Sequence, residues 1–173
     1  MKVKTLFKSL LFFLLIFAIA VPAEASERGE KTFGVRTGYV SRNRSMDVGL
    51  FFQYTFSQHF RLQPAADLIF RNRDRDAFTF DINALFPITK STEKYSIYPL
   101  AGINFSSWNR QEEILDTTGP IEVSSRTNKF GVNLGAGFDL KVSETLKITL
   151  DATYTFVAAN SGVRILAGIG YVF

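Results

Sequence analysis

The chain has 173 residues, no cysteine, one histidine and 18 phenylalanines, with 20 Lys plus Arg against 16 Asp plus Glu. Without cysteine it has neither a disulfide framework nor a thiol-based metal or redox site, and a single His leaves little for acid–base chemistry. Much of the positive balance belongs to the first residues: removing Lys2, Lys4, Lys8 and Glu24 leaves 17 basic against 15 acidic side chains, which is no basis for nucleic-acid binding.

Residues 1–25 read as a cleaved signal peptide. Lys2, Lys4 and Lys8 form a positive n-region, Leu10 to Val21 an apolar core, and Ala23-Glu24-Ala25 a small-x-small cleavage site. The apolar run is about a dozen residues, short of the roughly 20 that span a bilayer as a helix. An uncleaved anchor is the alternative. The remaining 26–173 form one exported domain.

Period-2 alternation predicts eight strands, at 32–40, 46–56, 60–71, 77–86, 95–108, 128–140, 145–156 and 163–173. Most have 9–12 residues, about the length that a tilted strand needs to cross a bilayer. The fold expected is all-β, an eight-stranded antiparallel up-and-down transmembrane β-barrel with both chain ends in the periplasm.

One parity set carries no charge. It runs through Phe33, Val35 and Tyr39, then Val48 to Phe56, Phe60 to Phe70, Phe78 to Phe86, Ile97 to Phe105, Phe130 to Leu140 and Leu146 to Phe156 by twos. Arg or Lys at mid-bilayer on a lipid face costs about 2–4 kcal/mol, so this set is read as the outer face. The opposite set is read as polar or tiny and as lining the lumen. Its ion-pair network is five basic residues, Arg36, Arg61, Arg71, Lys147 and Arg164, with five acidic ones, Asp47, Asp67, Asp81, Asp139 and Asp151. Buried charges must be paired, and eight strands leave room only for side chains. The interspersed glycines are expected to make room for the arginines. A soluble barrel with the faces reversed, as in lipocalins, would expose the apolar set to water.

Short polar turns are predicted at 57–59, 87–94 and 141–145 on the periplasmic side. The loops 41–45, 72–76, 109–127 and 157–162 face outside, and of these 109–127 is much the longest. Aromatic girdles are expected at both interfaces, with Tyr39, Phe70, Phe78, Phe105, Trp108, Phe130 and Phe156 toward the outside. The loop 109–127 holds Glu112, Glu113, Asp116 and Glu122, and alternation on both sides suggests a protruding hairpin. Such an edge can recruit a partner strand from an extracellular protein. Arg42, Arg44, Arg73 and Arg75 of the first two loops are candidates to meet lipopolysaccharide phosphates.

No catalytic centre is evident. His59 falls in a periplasmic turn, and there is no nucleophile elbow, phosphate loop or metal-spaced His/Asp/Glu cluster. The expectation is no enzyme, no cofactor and no metal.

The ending Gly168-Ile169-Gly170-Tyr171-Val172-Phe173, the strand Tyr98-Pro99-Leu100-Ala101-Gly102-Ile103 and Gly131-Val132-Asn133-Leu134-Gly135-Ala136-Gly137 carry a family resemblance. Across roughly 30–173 the chain resembles the small Gram-negative outer-membrane β-barrels of the OmpA/OmpX type and related porin-family domains. In that family the terminal pattern is an assembly signal, here Gly168, Tyr171 and Phe173, read by the barrel-assembly machinery; Leu166 stands where the family usually has a polar residue. The resemblance implies the outer membrane, with lipid and lipopolysaccharide as surroundings, and a structural or surface-interaction role. Members also include enzymes that modify lipid A, and a narrow-pore transport role is the other alternative. Fold does not choose among these.

Overall fold

The computed structural model describes residues 29–72, 75–88, 94–116, 119–158 and 161–173, with backbone only over 111–124. The leader proposed for 1–25 lies outside the described residues. Eight antiparallel strands follow in order: β1 Lys31–Val40, β2 Ser45–Ser57, β3 Phe60–Asn72, β4 Arg75–Leu85, β5 Tyr95–Asp116, β6 Gly119–Lys141, β7 Leu146–Val157 and β8 Gly162–Val172. Each pairs with its neighbours in sequence, and β8 pairs with β1, so the barrel is closed. Its seam runs from Thr32↔Val172 to Val40↔Arg164. At one end Lys31 and Phe173 exchange two backbone hydrogen bonds, at 2.9 and 3.1 Å.

Strand geometry turns alternate residues to opposite faces. Outward stand Val35, Leu50, Leu68, Ile103, Leu134, Leu150, Ile165 and others, all at least one-third exposed. Every strand contributes to this apolar belt, and the outward positions from Phe33 to Tyr39, Val48 to Phe56 and Phe130 to Leu140 hold no charged residue. A continuous apolar surface around a whole barrel has no stable arrangement in water. Aromatic rings gather at the belt's margins: Phe56, Phe60 and Phe86 at the chain-end rim, with Phe56–Phe60 5.6 Å and Phe60–Phe86 5.8 Å apart, and Phe105–Phe130 at 5.0 Å toward the other rim.

The inner face departs from the polar-or-tiny lining expected of it. Leu85, Tyr98 and Leu100 form one buried apolar cluster near the chain-end mouth, and Val40, Ile69, Ala77 and Trp108 form another near the opposite mouth. Phe51 of β2 is buried as well, 2% exposed. Apolar side chains occupy the levels where a charge would find no partner, and the ions collect between them.

Four of the inner-face glycines make room for rings, and Gly49 makes room for the Asp67 carboxylate. A side chain at Gly34, Gly168 or Gly170 would run into the Phe51 ring or its surroundings, and one at Gly137 would strike the Tyr98 ring. Trp108, expected in an aromatic girdle, faces inward instead and is 7% exposed. Its even number puts it on the lumen parity of β5, with Tyr98 and Asn104.

The region 109–127 is not a loop. β5 and β6 continue their pairing to Asp116↔Gly119, past the last rungs shared with neighbouring strands, Arg75↔Arg110 and Gly131↔Val157. Over 119–130 β6 is therefore paired on one side only among the described residues.

Candidate functional site

The lumen network is built from strand parity and closed by the barrel's curvature. Near the hairpin-end half, Asp67 of β3 accepts from Arg36 Nε at 2.7 Å and Nη2 at 2.6 Å, and from Arg164 Nη2 at 2.7 Å. Arg164 also donates through Nη1 to Asp81 at 2.7 Å and through Nη2 to Asp47 at 3.0 Å. Amides of Asn104 and Asn133 complete Asp81 at 2.6 and 2.8 Å. All these side chains are at most a few percent exposed. Two guanidiniums on β1 and β8 thus bridge three carboxylates on β2, β3 and β4, across the seam.

A second group lies toward the chain-end mouth. Arg61 Nη1 donates to Asp139 at 2.9 Å, and Lys147 Nζ lies 3.7 Å from the same carboxylate. Tyr98 Oη is 2.8 Å from Asp139 Oδ1 and 2.8 Å from Asp151 Oδ1, and Gln63 Nε2 reaches Asp151 at 3.3 Å. At the mouth itself Glu30 bridges Lys141 and Lys147. Burial pushes the Glu30 carboxyl up, but Lys147 and then Lys141 outweigh it and hold it below its usual value of 4.5.

Of the ten residues assigned to the lumen network, the structure places nine inside: Arg36, Asp47, Arg61, Asp67, Asp81, Asp139, Lys147, Asp151 and Arg164. Arg71 is the exception. Its side chain is 49% exposed at the rim and pairs with Asp76 at 3.2 Å. The register between β3 and β4 shifts between Ile69 and Asn72, so the chain has left the regular wall where Arg71 sits.

The guanidinium of Arg42 lies over the Trp108 ring, 4.8 Å from the centroid. Tyr98 and Glu30 were not foreseen as network members. Tyr98 stands opposite Gly137, and an aromatic facing a glycine across two strands on the inner parity was a usable signal. Glu30 precedes β1 and had none.

Gly168 pairs with Arg36 and Thr149, Tyr171 is 57% exposed on the outer belt, and its ring stacks 6.2 Å from that of Phe173. In the hairpin, the backbone register sets Glu112 opposite Val123, Glu113 opposite Glu122 and Asp116 opposite Gly119. His59 is exposed in the β2–β3 turn. Chemically, the interior carboxylates are engaged by guanidinium, ammonium, amide and phenol donors, with Asp47 Oδ1 left without a partner and one phenol shared between Asp139 and Asp151. They are placed to lock strands together, with apolar layers on either side.

No protein-family model matches the chain, and no curated protein does. Solved structures do match. The N-terminal β-barrel domain of Pseudomonas aeruginosa OprF has a TM-score of 0.67 at 12% identity, over 84% of this chain and 98% of that one. Ail, the attachment invasion locus protein of Yersinia pestis, has 0.58 at 18% identity, over 84% and 99%, and has also been crystallised with the heparin analogue sucrose octasulfate. Neisserial surface protein A has 0.59 at 13% identity, over 87% and 100%. At these identities the likeness speaks for the fold: a closed eight-stranded antiparallel barrel of the small outer-membrane type, with a polar buried interior.

Proposed function

We propose that this chain is an integral outer-membrane β-barrel protein with a structural or surface-interaction role, exported by its leader, with a lumen that passes no solute. Lipid and lipopolysaccharide surround its belt, the hairpin of β5 and β6 stands outside, and the chain ends face the periplasm. Gly168, Tyr171 and Phe173 act during insertion, as the pattern read by the barrel-assembly machinery.

The observation that carries this reading is the filled lumen. Arg36 and Arg164 tie β1 and β8 to Asp47, Asp67 and Asp81 across the bore, and apolar layers lie above and below. Eight strands leave no further width. That disfavours transport. Lipid A modification is disfavoured because the interior carboxylates are engaged, and His59 stands in an exposed turn at the other end from the hairpin. The purified barrel in planar bilayers should show no resolved conductance steps; steps of nanosiemens size would overturn the sealed lumen.

A surface role is supported by the one-sided pairing of β6 over 119–130, since an unpaired strand edge is a template for a partner strand. The attachment name of the Yersinia protein is consistent with it. Deleting 112–123 should leave the heat-dependent gel shift of the folded barrel intact while abolishing capture of protein partners by intact cells. Undiminished capture would sink the hairpin's part in the proposal.

A further inference from the structure

The open edge of β6 has a defined chemistry. The Lys141 amide donates to the Lys94 carbonyl on the β5 side, at 2.7 Å, and the Val142 amide donates to the Leu146 carbonyl on the β7 side, at 2.9 Å. Backbone groups of successive residues in an antiparallel strand serve opposite neighbours, and the β5–β6 register runs unbroken to Asp116↔Gly119. Even-numbered residues of β6 therefore serve the β7 side. Beyond the Gly131↔Val157 rung that side has no strand among the described residues. Pro120, Glu122, Ser124, Arg126, Asn128 and Phe130 thus present their backbone groups to an open edge, on which Pro120 offers only its carbonyl.

A second observation is the placement of charge along that edge. Glu122 and Arg126, with Ser124 midway between them, are the only charged residues at its even-numbered positions. Within the hairpin the register sets Glu122 opposite Glu113, a like pair, and Arg126 opposite Asn109. Like charges directly opposite one another on neighbouring strands are unfavourable. Arg126 is exposed and forms no ion pair among the described residues. If the edge pairs with a second copy about a two-fold axis, even residues must stand against even residues. The register centred on Ser124 sets Glu122 of each copy opposite Arg126 of the other, at both ends. Centring on Glu122 or on Arg126 would set like charges face to face.

We propose that β6 pairs, antiparallel and centred on Ser124, with β6 of a second copy of this chain in a facing membrane, so that the protein joins two outer-membrane surfaces. The inference rests on the surface-interaction reading above and names its partner. The facing arrangement follows from strand direction. β6 runs from the hairpin tip into its own barrel, so antiparallel partners lead to barrels at opposite ends of the joined edge. Copies in one membrane share an up direction, which runs their β6 strands the same way. Gly131 is seven residues from Ser124, so the two Gly131 positions would stand about 45 Å apart along the joined edge.

The barrel refolded into phospholipid vesicles would be followed by light scattering, with gel migration before and after heating to establish the fold of each variant. Wild-type vesicles should cluster. Vesicles carrying Glu122→Arg alone or Arg126→Glu alone should cluster at least about tenfold more slowly, since each variant sets like charges opposite its own copy. Mixing the two variant populations should restore clustering, because each charged position of one then meets its opposite on the other. Wild-type vesicles that stay dispersed, single variants that cluster like wild type, or a mixture that stays dispersed would each overturn the proposal. The chain has no cysteine, so an introduced one reports the register. A short bismaleimide should link Ser124→Cys copies into dimers and leave Asn128→Cys copies unlinked; equal linking of both would refute the centre at Ser124. If vesicles stay dispersed while deletion of 112–123 still costs intact cells their protein partners, self-pairing falls and the surface role stands. Absence of the gel shift in the wild-type chain would overturn both.

Discussion

Two buried carboxylates of similar exposure should respond oppositely to the same substitution. Asp67 accepts three hydrogen bonds of 2.6–2.7 Å from two guanidiniums, Arg36 and Arg164. Asp67→Asn keeps the shape and removes the charge, leaving those guanidiniums with Asp47 and Asp81 alone and turning an amide donor toward them. Breaking a buried pair from one side costs about 3–5 kcal/mol, because the surviving charge stays desolvated. Asp151 is held differently. It forms no ion pair among the described residues and meets Tyr98 Oη and Gln63 Nε2. The Tyr98 oxygen lies 2.8 Å from both Asp139 and Asp151, yet a phenol has one proton and an ionised carboxylate only accepts. An amide at 151 supplies the donor that this trio lacks, while its carbonyl still accepts from Gln63. Asp151→Asn should therefore change stability by less than about 1 kcal/mol, or raise it. Urea unfolding of the barrel in lipid vesicles, followed by Trp108 fluorescence and by gel migration without boiling, measures both. The gap of at least about 2 kcal/mol corresponds to more than tenfold in the folding constant. Equal losses for the two variants would refute the proton accounting, and a mild Asp67→Asn would refute the claim that the seam is held by its ions.

Two further outcomes follow from the outer face and from the chain-end mouth. Leu134 is 48% exposed near the middle of β6, so Leu134→Arg should cost about 2–4 kcal/mol in vesicles, whereas Arg at exposed Thr127, beyond the belt, should cost less than about 1 kcal/mol; similar costs would count against lipid at that face. Glu30→Gln should cost about 1–2 kcal/mol at pH 7 through its lost bonds to Lys141 and Lys147. A carboxyl whose folded value is depressed contributes stability above its unfolded value of 4.5 and loses it as the pH falls through the folded one, so wild type and variant should converge in unfolding measurements as the pH is taken below 4.5 and through that lower value.

Face was legible from the sequence because the side-chain period of a strand is two and the bilayer penalises every error of parity. Counting by twos placed Arg36, Asp67, Asp81 and Arg164 inside without any knowledge of their partners. The same rule, followed strictly, also puts Trp108 and Tyr98 inside; the girdle expectation for Trp108 weighs residue type over parity. Arg71 failed for the opposite reason. Parity is a property of an unbroken strand, and the register shift between Ile69 and Asn72 ends its authority two residues too soon.

Partner choice was a different kind of quantity. Arg164 and Asp47 are 117 residues apart in the chain, and Arg61 and Asp139 are 78 apart. Nothing local joins them. They meet because closure of β8 on β1 sets the shear of the barrel, and the shear decides which inner residues share a level. Level then decides chemistry: Asp139 finds Arg61 and Lys147, whereas Asp151, on the next strand, finds a phenol and an amide. A census of five acids against five bases therefore described the lumen's charge balance without describing its bonds. With Arg71 at the rim, nine of the ten network residues remain inside, four bases against those five acids, and among the described residues Asp151 is the acid of that set without an ion pair. The surplus carboxyl and the shared Tyr98 proton are one feature seen twice, once by charge and once by geometry.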